Sequence, residues 1–199
     1  MNGTLRTVFF FLCAGAAVLG ARETYLGGSG YWVDNNTDGA VGAAARVGWH
    51  FPPPEEAKYR ISTDVEAEVS YWAIENAIDY RAGPGKADTR TLPVLANLRV
   101  NVPLADTGLF LYGGGGAGMA FLDVDGTGPL GGNVDDTGTV FAYGFFAGLG
   151  GRVTARVEVR LGYRALWITE DDFNDGSGAE ASLETERNDL FEIALRYSL

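Results

Sequence analysis

The chain has 199 residues, 46% hydrophobic, 12% aromatic and 21% charged, with 29 glycines and a formal net charge of -11. This composition excludes a disordered polymer and suffices for one domain with a buried core. With 15 Lys+Arg against 26 Asp+Glu it lacks the clustered cations of a nucleic-acid surface, and one cysteine with one histidine excludes an internal disulfide and the usual structural zinc site.

Residues 1–21 carry Arg6, an apolar stretch from Val8 to Leu19, and then the small residues Gly20 and Ala21. That order is the n-, h- and c-region pattern of a secretory signal peptide, and the stretch is too short to span a bilayer as a helix. The expected organisation is a signal peptide over 1–21 and one domain over 22–199, with a cut near Gly20 or Ala21 that also removes Cys13. A buried N-terminal helix is the other reading of the same stretch.

The dominant period after Ala21 is two, not 3.6. Eight segments follow in order: 24–33, 41–51, 59–71, 92–102, 109–122, 140–149, 157–167 and 191–199. The second is the clearest, with Val41, Ala43, Ala45, Val47, Trp49 and Phe51 interleaved with Gly42, Ala44, Arg46, Gly48 and His50. Most of these segments reach ten residues, longer than soluble strands and suited to a tilted strand crossing hydrocarbon. The connections alternate between brief ones (52–58, 103–108, 150–154) and long ones (74–88, 123–139, 169–188), with 34–38 a short loop at the long-loop rim. Short turns at one rim and long loops at the other are the asymmetry of an outer-membrane barrel.

Alternation alone also fits a soluble barrel with an apolar interior. Three features favour the membrane form. Aromatics sit towards the ends of the apolar faces, at Trp49, Phe51, Tyr59, Tyr71, Trp167, Phe191 and Tyr197, as two interfacial girdles. The polar faces hold Arg46, Arg60, Arg99, Arg156, Arg160, Arg164 and Arg196 with Asp64, Glu66, Glu68, Glu158 and Glu192, a near-balanced set that an enclosed lumen needs. The chain also ends on its last strand, with Tyr197 and Leu199 on the apolar face.

The stretches TLPVLANLRVNVPL (Thr91 to Leu104), LFLYGGGGAGMAF (Leu109 to Phe121) and FAYGFFAGLGGRVTARVEVRLGYRAL (Phe141 to Leu166) resemble strands four to seven of the small outer-membrane β-barrel proteins of Gram-negative bacteria, of the OmpA-barrel, OmpX and opacity-protein type. The expected fold is therefore all-β, an eight-stranded antiparallel up-and-down transmembrane β-barrel with its termini in the periplasm. The resemblance implies a monomer in the outer membrane, exported to the periplasm, inserted by the barrel-assembly machinery and surrounded by outer-membrane lipid and lipopolysaccharide. Leu199 departs from the phenylalanine with which the family usually ends. The implied role is structural or surface interaction through the outer loops, with the extracellular ligand unspecified. A small-solute channel or carrier, and a secreted soluble barrel holding a hydrophobic ligand, are the alternatives.

Candidate chemistry is sparse. His50 falls at the short-turn end of the second segment without a second histidine or a G-x-S-x-G elbow, so no enzyme is expected. Asp34, Asn36 and Asp38 followed by Gly39 match the first half of a calcium loop, but position twelve is Ala45, and a plain hairpin turn fits the same residues. No cofactor is expected beyond calcium or magnesium at the acidic outer loops. The run Gly113 to Gly116 lacks the Lys-Ser/Thr of a phosphate loop, and reads instead as room for bulky interior side chains.

Overall fold

The computed structural model of the chain describes residues 23–34, 39–57, 59–80, 83–105, 107–127, 133–169, 171–174, 180–183 and 186–199. The expected signal segment lies outside them. The strands are β1 (Glu23–Asp34), β2 (Gly39–Phe51), β3 (Ser62–Tyr80), β4 (Gly83–Pro103), β5 (Leu109–Thr127), β6 (Asn133–Arg152), β7 (Val157–Ile168), β8 (Asp171–Asn174), β9 (Glu180–Leu183) and β10 (Glu186–Ser198). Eight of them close a barrel in the order β1-β10-β7-β6-β5-β4-β3-β2, and β8 and β9 form a separate hairpin. Every barrel neighbour is antiparallel, and the seam is closed by β1 on β10, from Tyr25 opposite Ser198 to Asp34 opposite Asp189.

The period-two pattern dictates which way each side chain points. Leu26, Val69, Leu98, Leu111, Leu161, Ile193 and Leu195 are exposed on the outer surface, while Arg46, Glu66, Glu68, Arg99, Arg160 and Arg164 are buried within. A water-soluble barrel with a ligand-binding interior would have the reverse arrangement.

Two expected long loops are largely strand. Segment 74–88 pairs with itself across β3 and β4 as far as Tyr80 opposite Gly83, and 123–139 does so across β5 and β6 as far as Thr127 opposite Asn133. The backbone ladder continues there although the apolar-polar alternation that marks a strand in the sequence fades. Conversely, β3 starts at Ser62 instead of Tyr59, because the segment after Pro52 to Pro54 turns, with the Ala57 amide donating to the Pro54 carbonyl. In the β4–β5 turn Gly108 takes a positive φ of 75°, which glycine adopts without penalty.

Pro93 lies inside β4, fully buried. The β3–β4 ladder breaks there, between the pairs Val69–Val94 and Trp72–Thr91, as expected for a residue without an N–H.

Candidate functional site in the barrel lumen

Inward-facing side chains form two tiers. The tier nearer the short turns is ionic: Arg46, Arg99, Arg160, Arg164 and Arg196 share it with Asp64, Glu66, Glu68, Glu158 and Glu192, five cations against five carboxylates. Glu68 accepts from Arg46 Nε at 2.7 Å, from both terminal nitrogens of Arg164 at 2.7 and 2.8 Å, and from Asn97 at 3.0 Å. Arg46 also bonds Glu192. Glu66 accepts from Arg99 and from the Tyr25 hydroxyl, each at 2.6 Å, and from Arg160 at 3.2 Å. Asp64 faces His50 Nδ1 at 2.6 Å and accepts from Asn101 at 3.0 Å and Arg160 at 3.2 Å. Balanced, multiply hydrogen-bonded charge is the form in which ions tolerate burial.

Aromatic faces complete the cation environment. Arg99 lies 4.9 Å from the Tyr112 ring centroid and 5.1 Å from that of Phe146, and Arg196 lies 3.8 Å from that of Tyr25. These rings fit because glycine faces them across the ladder. A Cβ on Gly48 would fall 2.3 Å from the Tyr25 ring, and one on Gly148, opposite Tyr112, would fall 2.5 Å from the Tyr112 hydroxyl.

The tier nearer the long hairpins is apolar. Tyr31, Val33, Trp72, Ile74, Leu95, Leu122, Val124, Leu166 and Leu190 belong to one buried cluster, with the Tyr31 and Trp72 rings edge to face at 6.0 Å. Sequence reasoning missed this tier, although Pro93 and Leu95 on the polar face of β4 already signalled it.

Two members of the expected lumen set lie elsewhere. Arg60 is exposed in the turn before β3, and Arg156 is exposed in the turn before β7, its Nη1 3.4 Å from the Tyr197 hydroxyl. In both cases the expected strand was carried into turn residues, where alternation no longer fixes a face.

Of the expected girdle, Tyr71, Phe191 and Tyr197 are exposed on the outer surface, Tyr59 is exposed in its turn, and Phe51 and Trp167 are half-buried. Trp49 has the outward phase but is buried, with 7% exposure, which removes it from the lipid-facing set. Sequence reasoning also missed Trp32, Phe121, Phe141 and Tyr143. Trp32 pairs with Phe191 across the seam, and Tyr143 stacks on Trp167 at 5.6 Å, so aromatics concentrate at the long-hairpin rim. Arg187 lies over Trp167 at 5.8 Å and donates to Asp189 and to the Tyr163 hydroxyl at the same rim.

Of the calcium-loop residues, Asn36 and Asp38 lie outside the described residues and Asp34 ends β1. Among the described residues no group of three or more His, Cys, Asp or Glu is placed to hold a metal ion. At the short-turn mouth a cavity of about 310 Å³ opens among His50, Arg60, Asn101, Arg152, Glu158 and Arg196.

A family described as "Outer membrane protein beta-barrel domain" matches residues 7–185. No curated protein matches the sequence significantly. Among solved structures, the Neisserial surface protein A is 13% identical with a TM-score of 0.49, covering 88% of this chain and 95% of that one. Ail of Yersinia pestis, solved with the heparin analogue sucrose octasulfate, is 12% identical with a TM-score of 0.47, covering 89% and 97%. The N-terminal barrel domain of Pseudomonas aeruginosa OprF is 11% identical with a TM-score of 0.43, covering 88% and 97%.

Proposed function

The chain belongs to the outer-membrane protein β-barrel domain family and resides in the outer membrane, and from that premise we propose that it is a closed, non-conducting anchor presenting a rigid sheet for contact at the cell surface. The observation that carries this reading is the unequal strand length. The strands β1, β2, β7 and β10 have 12 or 13 residues, just enough to cross hydrocarbon, while β3 to β6 have 19 to 21. The excess is about 25 Å of strand at 3.3 Å per residue. It forms a four-stranded sheet beyond the rim, because β2 pairs with β3 only as far as Trp72, and β6 pairs with β7 only as far as Ala142. In a barrel of eight strands the interior holds little more than side chains, and the ionic and apolar tiers together occupy it.

In this reading residues 1–21 direct export, and the barrel-assembly machinery inserts the monomer. Arg187, set over Trp167 at the outer rim, meets anionic lipopolysaccharide headgroups. The acidic outer segments draw calcium or magnesium to the same leaflet, which equilibrium dialysis at millimolar cation measures. No reaction is assigned to His50, and no cofactor is required.

Replacing 75–87 and 126–136 by short turns tests the reading. Surface binding of cells to host or neighbouring-cell material is expected to fall while heat-modifiable gel mobility, the mark of a folded barrel, is retained. Stable single-channel steps from the intact protein in planar bilayers would overturn the closed-anchor part, and unchanged surface binding would overturn the presentation part. N-terminal sequencing of the outer-membrane form is expected to begin near residue 21 or 22.

A further inference from the structure

We propose that the periplasmic mouth of the barrel is a receptor for a small organic oxyanion, a carboxylate or phosphate monoester that also carries a hydroxyl or amino donor. Deep in the lumen every arginine is matched by a carboxylate, and the mouth adds Arg60 and Arg152, the latter opposite Glu158 in the β6–β7 ladder, so that three guanidinium groups and one carboxylate line the cavity. Neither forms an ion pair among the described residues, although the chain as a whole carries a net charge of -11. Both line the 310 Å³ cavity, which lies at the small end of ligand pockets.

Arg196, on β10, lines the cavity from deeper in the mouth and is loosely held. Its carboxylate contacts are at 3.4 Å to Asp64 and 3.9 Å to Glu158 and Glu23, against 2.6 Å for the Arg99–Glu66 pair deeper in the network. Arg196 is 7% exposed, and its Nε is buried without a hydrogen-bond partner. Such a donor costs free energy until an acceptor meets it.

Asn101 supplies the complementary half. Its Nδ2 donates to Asp64 at 3.0 Å, which fixes the amide orientation and leaves Oδ1, also buried, as an acceptor without a donor. The Asp64 carboxylate likewise fixes His50 by accepting a hydrogen bond from its Nδ1–H at 2.6 Å, leaving Nε2 as an acceptor for a ligand. Phe110, Leu109 and Pro103 form the apolar wall against which a carbon skeleton would rest. An oxyanion at the three guanidinium groups, with its hydroxyl or amino donor towards His50 Nε2, would use the groups that line the cavity. The site faces the periplasm, since short turns mark that side, and it is independent of any surface contact made by the opposite rim.

The test is a chemical-shift titration of the full mature barrel in nanodiscs with three small polyols: glycerol 3-phosphate, gluconate and neutral glycerol. Saturable shifts at Arg60, Ser62, Asn101, Arg152 and Arg196 are expected with at least one anion and not with glycerol, and the two anions distinguish phosphate from carboxylate. The Arg60→Gln and Arg152→Gln double variant, whose residues lie outside the buried network, is expected to keep its heat-modifiable mobility and to weaken binding at least ten-fold. No saturable shift with either anion, equal shifts with glycerol, or unchanged affinity in the double variant would each overturn the proposal.

Discussion

Glu68→Gln isolates the energetics of the ionic tier. Glu68 is 1% exposed and its two oxygens accept from Arg46, Arg164, Asn97 and Ser70. Glutamine keeps the volume but replaces one oxygen by a donor that faces guanidinium N–H groups. Arg46 retains Glu192, whereas Arg164 has no other carboxylate among the described residues and keeps only the Phe146 ring, 5.1 Å away. One buried cation is thus stranded, and removing one partner of a buried pair costs about 3–5 kcal/mol. Equilibrium urea unfolding of the barrel refolded into lipid vesicles, followed by tryptophan fluorescence and gel mobility, measures the loss. Adding Arg164→Met removes the stranded charge, so the double variant is expected within about 1–2 kcal/mol of the wild type, since apolar replacement of a whole buried pair is often neutral. Asp123→Asn is the control. Its partner Arg90 is 3.3 Å away, the two side chains are 45% and 53% exposed, and the loss should stay below about 1 kcal/mol. A Glu68→Gln loss no larger than the control's, or a double variant no better than the single, would refute the argument that pairing, and not volume, sustains the tier.

Three further outcomes use the same unfolding assay. Gly118→Ala places a Cβ 2.0 Å from the Val94 carbonyl oxygen, a backbone atom that cannot swing aside, and should cost about 1–3 kcal/mol, while Gly28→Ala, whose nearest contact is 3.8 Å, should be nearly silent. Ile193→Arg puts a cation on the lipid-facing surface, where the wild-type side chain is 58% exposed, at an expected cost of about 2–4 kcal/mol in vesicles. Trp72→Ala empties the centre of the apolar tier and should cost about 3–5 kcal/mol, and a loss below 1 kcal/mol would show that this tier is loosely filled.

The barrel and its orientation were legible because hydrocarbon on one side and a filled lumen on the other impose different chemistry on alternate residues. Arg46 and Val47 cannot exchange faces without placing a charge in lipid. Where that contrast ends, so did the legibility. Ile74 to Tyr80 and Gly83 to Asp88 form a ladder, yet their Gly, Pro, Lys and Asp content reads as loop because it carries no apolar-polar alternation. The apolar tier was hidden for a related reason. Its members Trp72, Ile74 and Val124 occupy the inward phase just beyond the expected segments, and Leu122 is the last residue of one. Arg60 and Arg156 were misplaced by extending a strand pattern into turns, and it is in one of those turns that Arg60 now helps define the mouth cavity. Trp49 shows the limit of parity itself, since outward phase does not ensure a lipid-facing side chain.

Stacking an oily stratum over a charged one makes the tube electrically one-sided. In the orientation proposed above, mobile ions outside the cell meet hydrocarbon side chains before they can reach a guanidinium, whereas those inside the envelope meet Arg60 and Arg152 almost at once. Screening, which acts over about 8 Å at physiological ionic strength, therefore enters from beneath. The guanidinium-carboxylate lattice is insulated from swings in external salinity and responds to the ionic composition of the compartment it opens onto.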